Sequence, residues 1–219
     1  MQTACDIEIS NLTVVFDGKE VLSGFDLSVA AGEKVVITGE SGCGKSTLLR
    51  ALLGFTVPAR GSIRVGGELL DEHSVWAVRR RLAYVGQEPE LGAGPARDAL
   101  TQAFDYHANV ALRDNIKRIP ELTELFGLDS ELLDKDVSSL SGGEKQRIAL
   151  IAAILLDRRT YLLDEGTSAL DKGNRQVVAD YFRSLPDVTL LVVSHDDETF
   201  GFADRIVTLP GRRLEGGRQ

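Results

Sequence analysis

Apolar and polar residues alternate at the start of the chain: Ile7, Ile9, Leu12, Val14 and Phe16 predict a strand that ends at an Asp17-Gly18 turn. Val21-Leu22 and Phe25 to Val29 continue the β pattern, and Gly32-Glu33 turns the chain into the apolar run Val35-Val36-Ile37-Thr38. Leu48 to Leu53 reads as the body of a helix. Pro58, Gly61, Gly66 and Gly67 then punctuate a second β region around Ile63 and Val65, and Leu82 to Val85 reads as a short buried strand. From Ala96 to about Leu133 the spacing turns helical with mixed charge, and Leu122, Leu125, Phe126 and Leu128 mark one apolar face. A strong helix follows from Glu144 to Leu156, with Ile148, Ile151, Ala152 and Leu155 on one side. Tyr161 to Leu163, Val188 to Val193 and Ile206 to Leu209 predict three more strands, with a helix around Gln176 to Leu185 after the first of them. Strands that alternate with helices predict an α/β fold with a mostly parallel sheet. There is no internal repeat and no linker long enough to separate domains, and the Gly/Arg-rich tail from Gly211 is expected to fray.

Composition narrows the class. A hydrophobic share of 43% and a charged share of 26% are ordinary for a globular protein. No stretch approaches the ~18 apolar residues of a membrane span, and Met1 to Asp6 lacks the basic head and apolar middle of a signal peptide. Two cysteines among 219 residues argue against a disulfide framework and fit a reducing compartment. A formal charge of −8 disfavours general nucleic-acid binding. A soluble cytoplasmic protein is the expectation.

The stretch Gly39-Glu40-Ser41-Gly42-Cys43-Gly44-Lys45-Ser46-Thr47 lies between the Val35 run and the Leu48 helix. Its spacing fits G-x-x-x-x-G-K-[ST], the phosphate-binding P-loop. Glycines let the backbone aim successive N–H groups at one point. The positive end of the following helix adds to them, Lys45 can reach the β- and γ-phosphates, and Ser46 can hold Mg²⁺. Glycine-rich turns also serve packing alone, but packing requires neither the lysine nor the hydroxyl. Tyr161-Leu162-Leu163-Asp164-Glu165 is an apolar run closed by two carboxylates. Asp164 suits a Mg²⁺ ligand at a strand end and Glu165 a group that polarises water; two acids that end a strand and cap a helix are the plainer alternative.

Leu140-Ser141-Gly142-Gly143-Glu144-Lys145-Gln146-Arg147 resembles the signature motif of the ABC (ATP-binding cassette) ATPases, and it stands between the P-loop and the Asp164-Glu165 strand in that family's order. Gln87 after Tyr84-Val85-Gly86 resembles the Q-loop glutamine, Ser168-Ala169-Leu170-Asp171 the D-loop, and His195 the switch histidine. Phe16 stands where the family places an aromatic ring on adenine. Each has a plainer competitor: a core-facing strand residue for Phe16, a turn cap for Gln87, a structural histidine for His195. His73 and His107 have no motif around them, and Cys43 reads as tolerated within the cradle. Gly166, in place of the family's usual proline, and Glu144, in place of the commoner glutamine, depart from the pattern without removing a phosphate ligand.

The resemblance covers about Ile7 to Leu209. It implies one ABC ATPase domain over residues 1–219: a RecA-like core sheet, an N-terminal antiparallel β subdomain and a small α-helical subdomain at about 88–139. It also implies ATP and Mg²⁺ as cofactors. Ser46, Gln87 and Asp164 would face the metal, and Lys45, Glu165 and His195 would serve hydrolysis. Ser141, Gly142, Gly143 and Asp171 would contact the nucleotide across a head-to-tail homodimer. The partner implied is a separate integral-membrane permease, which places the chain on the inner face of the membrane; within the family the chain is similar to the FetA-type subunit of a bacterial iron exporter. A soluble ABC ATPase of iron–sulfur assembly or cell division is the alternative, and a nucleotide-switched binding module a third.

Overall fold

Two sheets form where the apolar alternation places them in a computed structural model that describes residues 5–166, 169–194 and 203–210. β1 (Cys5–Phe16), β2 (Lys19–Ala30), β4 (Arg60–Val65) and β5 (Glu68–Leu69) make an antiparallel sheet in the order β2-β1-β4-β5. Phe16 pairs with Lys19, so Asp17 and Gly18 alone make the first hairpin turn, with φ of 49° and 74°. Both angles belong to a type I′ turn, whose twist suits paired strands.

β3 (Lys34–Thr38), β6 (Leu82–Val85), β7 (Thr160–Asp164), β8 (Thr189–Val193) and β9 (Arg205–Thr208) make the second sheet, ordered β6-β7-β8-β3-β9. Every neighbouring pair in it is parallel. Its strands read as continuous apolar runs because both faces are covered. Val35, Ile37, Leu162, Leu191 and Val193 point into a core shared with the antiparallel sheet and with α1 (Lys45–Leu52). Their alternates Val36, Tyr161, Leu163, Leu190 and Val192 point into a second core, shared with α5 (Gly142–Leu155) and α6 (Lys172–Arg183).

Three elements differ from the sequence reading. The segment expected to be evenly helical contains α3 (Ala96–Thr101) and α4 (Ile119–Leu125), but the chain around them winds as 3₁₀ helix, including the long run His107–Arg118. Leu122, Phe126 and Leu128 are buried there while Leu125 is 44% exposed. The reason is a chain reversal: Gly127 takes φ 62°, and the Leu128 N–H donates back to the Thr123 carbonyl at 2.8 Å. Leu128 therefore reaches the core by folding back past the helix end rather than along a face. Residues Val75–Arg79 form α2, a helix the apolar spacing did not announce. Finally, α6 begins at Lys172, earlier than Gln176, because the Asp171 side chain accepts from the Asn174 N–H at 2.9 Å and caps it.

α5 buries Ile148, Leu150, Ile151, Ala153, Ile154 and Leu155, more than the single side expected. A helix that is apolar nearly all round is a core helix. No helix among the described residues is long and apolar enough to cross a membrane.

Candidate active site

Parallel strands deliver their carboxyl ends to one edge, the place where open α/β sheets bind ligands. From that edge the P-loop follows β3, Gly86-Gln87 follows β6, Glu165-Gly166 follows β7 and Ser194 follows β8. The Ser194 N–H donates to the Ile37 carbonyl, so the chain leaves β8 directly beside the P-loop strand.

Two P-loop glycines are needed where they stand. A Cβ on Gly44 (φ 109°) would lie 2.8 Å from a Leu22 methyl, and one on Gly39 (φ 154°) 2.8 Å from the Cys43 sulfur. The loop thus packs on β2 and on itself, in backbone conformations that side chains resist. α1 opens at Lys45 with no side-chain cap, and its first backbone acceptor, Gly44, is taken by Leu48. The N–H groups of its first turn have no intrahelical acceptor, which is the condition for anion binding. Glu40, Ser41, Gly42 and Ser46 are exposed, and Thr47 is half-buried. Lys45 is buried, with Nζ donating to the carbonyls of Gly39 at 2.7 Å and Glu40 at 3.1 Å. Cys43 is buried in the core shared with α1.

Asp164 shares a sheet face with Leu162, the face on which α1 packs. The parity brings its carboxylate to Ser46, whose Oγ donates to Oδ1 at 3.2 Å. Burial pushes the Asp164 carboxyl up, against the Ser46 hydrogen bond and the charge of Arg50. Tyr84 on β6 lies close to this carboxyl, and burial chiefly, with the Asp164 charge, raises its phenol. Sequence reasoning missed Tyr84; its place on the neighbouring strand, three residues before Gln87, was the available signal. Ser46 and Asp164 are hard oxygen donors of the kind Mg²⁺ takes. Among the described residues no group of three or more His, Cys, Asp or Glu could hold a metal alone. Two protein oxygens fit an ion that arrives with phosphate oxygens.

Glu165 takes φ 49°, a left-handed conformation uncommon for a residue with a Cβ. Its N–H donates to the Val193 carbonyl at 2.9 Å, which holds the turn against β8. Such backbone outliers cluster at functional sites. Gln87, exposed, donates from Nε2 to Glu165 Oε2 at 2.7 Å. The structure therefore joins Ser46 to Asp164 and Gln87 to Glu165.

Other candidates lie elsewhere. Phe16 is 46% exposed, which excludes the core-facing alternative. It ends β1 in the hairpin whose Val21 and Leu22 pack against Gly44. Ser141 caps α5 and shares a capping box with Glu144: the Ser141 N–H and Oγ each meet Glu144 Oε2 at 2.7 Å, and the Glu144 N–H returns to Ser141 Oγ at 3.3 Å. These bonds hold the Glu144 carboxyl below its usual range, and the S-x-x-E spacing could have announced them. Gly142 and Gly143 open the same helix, and a Cβ on Gly143 would stand 3.0 Å from the Ala169 carbonyl. Among the described residues no hydrogen bond joins Ser141, Gly142 or Gly143 to the P-loop of the same chain. Asp171 caps α6, with Asn174 holding its carboxyl low. His195 and Ser168 lie outside the described residues.

Known proteins resemble this chain over most of its length. The family described as "ABC transporter" matches residues 22–168. The chain is 35% identical over 205 residues to the "Energy-coupling factor transporter ATP-binding protein EcfA1" of Bacillus licheniformis, covering 91% of this chain and 72% of that one. It is 32% identical over 207 residues to the "Probable iron export ATP-binding protein FetA" of Escherichia coli, covering 93% and 90%. "Fe(3+) ions import ATP-binding protein FbpC 2" of Rhodococcus jostii is 35% identical over 224 residues, and the match spans 60% of that longer protein. Among solved structures, a dimeric post-hydrolysis state of the ATP-binding cassette MJ0796, bound to ADP and Pi, superposes with a TM-score of 0.83 at 26% identity, covering 93% of this chain and 94% of that one. A bacterial Atm1-family exporter with ATP bound superposes with a TM-score of 0.82 at 27% identity, covering 96% of this chain and 37% of that chain. The chain belongs to the ABC transporter family and is an ATP-binding, ATP-hydrolysing cassette of it.

Proposed function

We propose that the whole chain, with its helical segment at 88–139, works as one nucleotide-binding domain that pairs head to tail with a second copy and drives transport through a separate membrane permease. The observation that carries the catalytic part is the alignment of Ser46, Asp164, Glu165 and Gln87 along one sheet edge beside an uncapped helix start.

In this reading the N–H groups of residues 42–47 and Lys45 hold the β- and γ-phosphates. Lys45 exchanges the carbonyls of Gly39 and Glu40 for phosphate oxygens. Ser46 and Asp164 would hold Mg²⁺, with Gln87 turning toward it, and a bound ion would supply charge neutralisation at the phosphate oxygens. Phe16 stacks on the base. Glu165 orients a water and takes its proton as the water oxygen bonds to the γ-phosphorus and the bond to the bridging oxygen breaks, giving ADP and phosphate. His195 contacts the γ-phosphate.

The α5 start completes the site in the second copy. Ser141, Gly142 and Gly143 make no hydrogen bond to their own P-loop, and Ser141 and Gly142 are exposed. A helix N-terminus carries partial positive charge, so it favours a partner's γ-phosphate. Asp171 follows a segment that packs on Gly143 and lies along the same contact. Loss of the γ-phosphate removes what holds the copies together.

In this reading the permease contact falls on the exposed rings just after α1 and on α2. Phe55 is 67% and Trp76 70% exposed, and the Arg79 guanidinium lies 4.2 Å and 5.0 Å from their centroids. Exposed rings flanking a cation make an anchor for a helix end. This contact would keep the chain on the inner face of the membrane. Steady MgATP hydrolysis by purified protein, with copurification of a multi-span membrane protein, tests the reading; hydrolysis without any membrane partner would leave only the ATPase.

A further inference from the structure

Gln146 stands one turn into α5 and is 0% exposed, a fully buried polar side chain in a helix otherwise packed with aliphatic groups. Its Nε2 donates to the Gly86 carbonyl at 3.3 Å, on the residue that precedes Gln87. The same Nε2 faces the residue that follows Glu165: a Cβ on Gly166 would stand 3.6 Å from it. One amide nitrogen therefore bonds to the Gln87 loop and borders the Glu165 loop, the two loops whose side chains, Gln87 and Glu165, meet at 2.7 Å. Its Oε1 is buried and has no hydrogen-bond partner among the described residues. Buried polar atoms are nearly always paired, and an exception in a core calls for a cause. An aliphatic side chain of the same size would fill this space without the unpaired oxygen.

We propose that Gln146 is a positioning residue that couples the Gln87 loop to the Glu165 loop. When Gln87 turns from Glu165 toward the triphosphate, Gly86 moves with it. Gln146 is tied to that carbonyl and lies against Gly166, so it transmits the movement to the turn that aims Glu165. The open acceptor on Oε1 gives the moved loops a donor site that this arrangement leaves unused. The coupling rests on the reading that Gln87 and Glu165 serve ATP hydrolysis.

The test is a double-mutant cycle on purified full-length protein with MgATP, using Gln146→Met, which keeps length and removes both hydrogen-bonding atoms, and Gln87→Ala. Gln146→Met should lower kcat by roughly tenfold or more and leave KM within about twofold, and most of that loss should vanish in the Gln87→Ala background. Additive losses, or a fall in thermal stability with kcat unchanged, would overturn the coupling and leave Gln146 a space-filler. Should Gln146→Met fail to fold, Gln146→Glu carries the test. Its buried acid keeps donor and acceptor while protonated, so kcat should track the parent at low pH and fall below it as the acid ionises. A kcat that still equals the parent's once this acid has ionised would overturn the proposal. Glu165→Gln run alongside separates the two readings: retained turnover there removes the catalytic assignment itself, whereas lost turnover there with additive Gln146 and Gln87 effects removes only the coupling.

Discussion

Gln87 and Glu165, 78 residues apart in the chain, are joined by a 2.7 Å hydrogen bond from the Gln87 amide to the Glu165 carboxylate. Their strands, β6 and β7, are parallel neighbours, so residues just beyond the two ends fall side by side. The bond occupies one oxygen of the carboxylate that would orient water in the proposed mechanism. Glu165→Gln should keep ATP affinity near that of the parent while turnover falls by about 10²–10⁴, the usual contribution of a general base. Nucleotide titration and phosphate release measured on the same preparation check it; near-normal turnover would remove Glu165 from its role.

Lys45 is a buried cation resting on two loop carbonyls. Lys45→Ala should weaken binding of a fluorescent ATP analogue by at least about tenfold, or about 1.4 kcal/mol. An unchanged dissociation constant would mean that the loop does not cradle phosphate.

The Ser141–Glu144 box makes a pH prediction. The Glu144 carboxyl is held low by Ser141, so its contribution to stability is present above the ordinary carboxylate range and is lost as pH falls through the lowered folded-state value. The box lies at the surface end of the helix, in reach of water, so solvent screening keeps the effect small. Ser141→Ala should cost about 0.5–2 kcal/mol at neutral pH. Glu144→Gln should flatten the acid limb of a melting-temperature profile; an unchanged acid limb would show that the box is not formed in solution.

Trp76 lies outside the nucleotide site, with its ring exposed beside Arg79. Trp76→Glu should leave MgATP hydrolysis by the isolated chain unchanged and abolish copurification with the membrane partner. Retained copurification would move the contact to another face.

The parts of this fold that follow from short-range rules were legible in the sequence. Period-two alternation announced β1, short apolar runs announced β3, β7 and β8, and the glycine-rich spacing announced the loop between β3 and α1. The Asp164–Ser46 contact follows from parity once the sheet is known. What tertiary packing decides was not legible. The chain reverses at Gly127 just past α4, so Leu128 folds back to the core while Leu125 faces solvent although its spacing suggested the core. Gln146 looked like one more polar residue of a signature, and only the packing of α5 against two loops makes it notable. The motif around Asp171 gives no sign of its cap bond to Asn174, which starts α6.

The central claim is that two copies clasp ATP between the P-loop of one and the α5 start of the other. Light scattering of the Glu165→Gln protein with and without MgATP tests it most directly. The mass should double with MgATP, with two nucleotides per dimer, and revert with MgADP. A protein that binds MgATP tightly and stays monomeric at every concentration would contradict it.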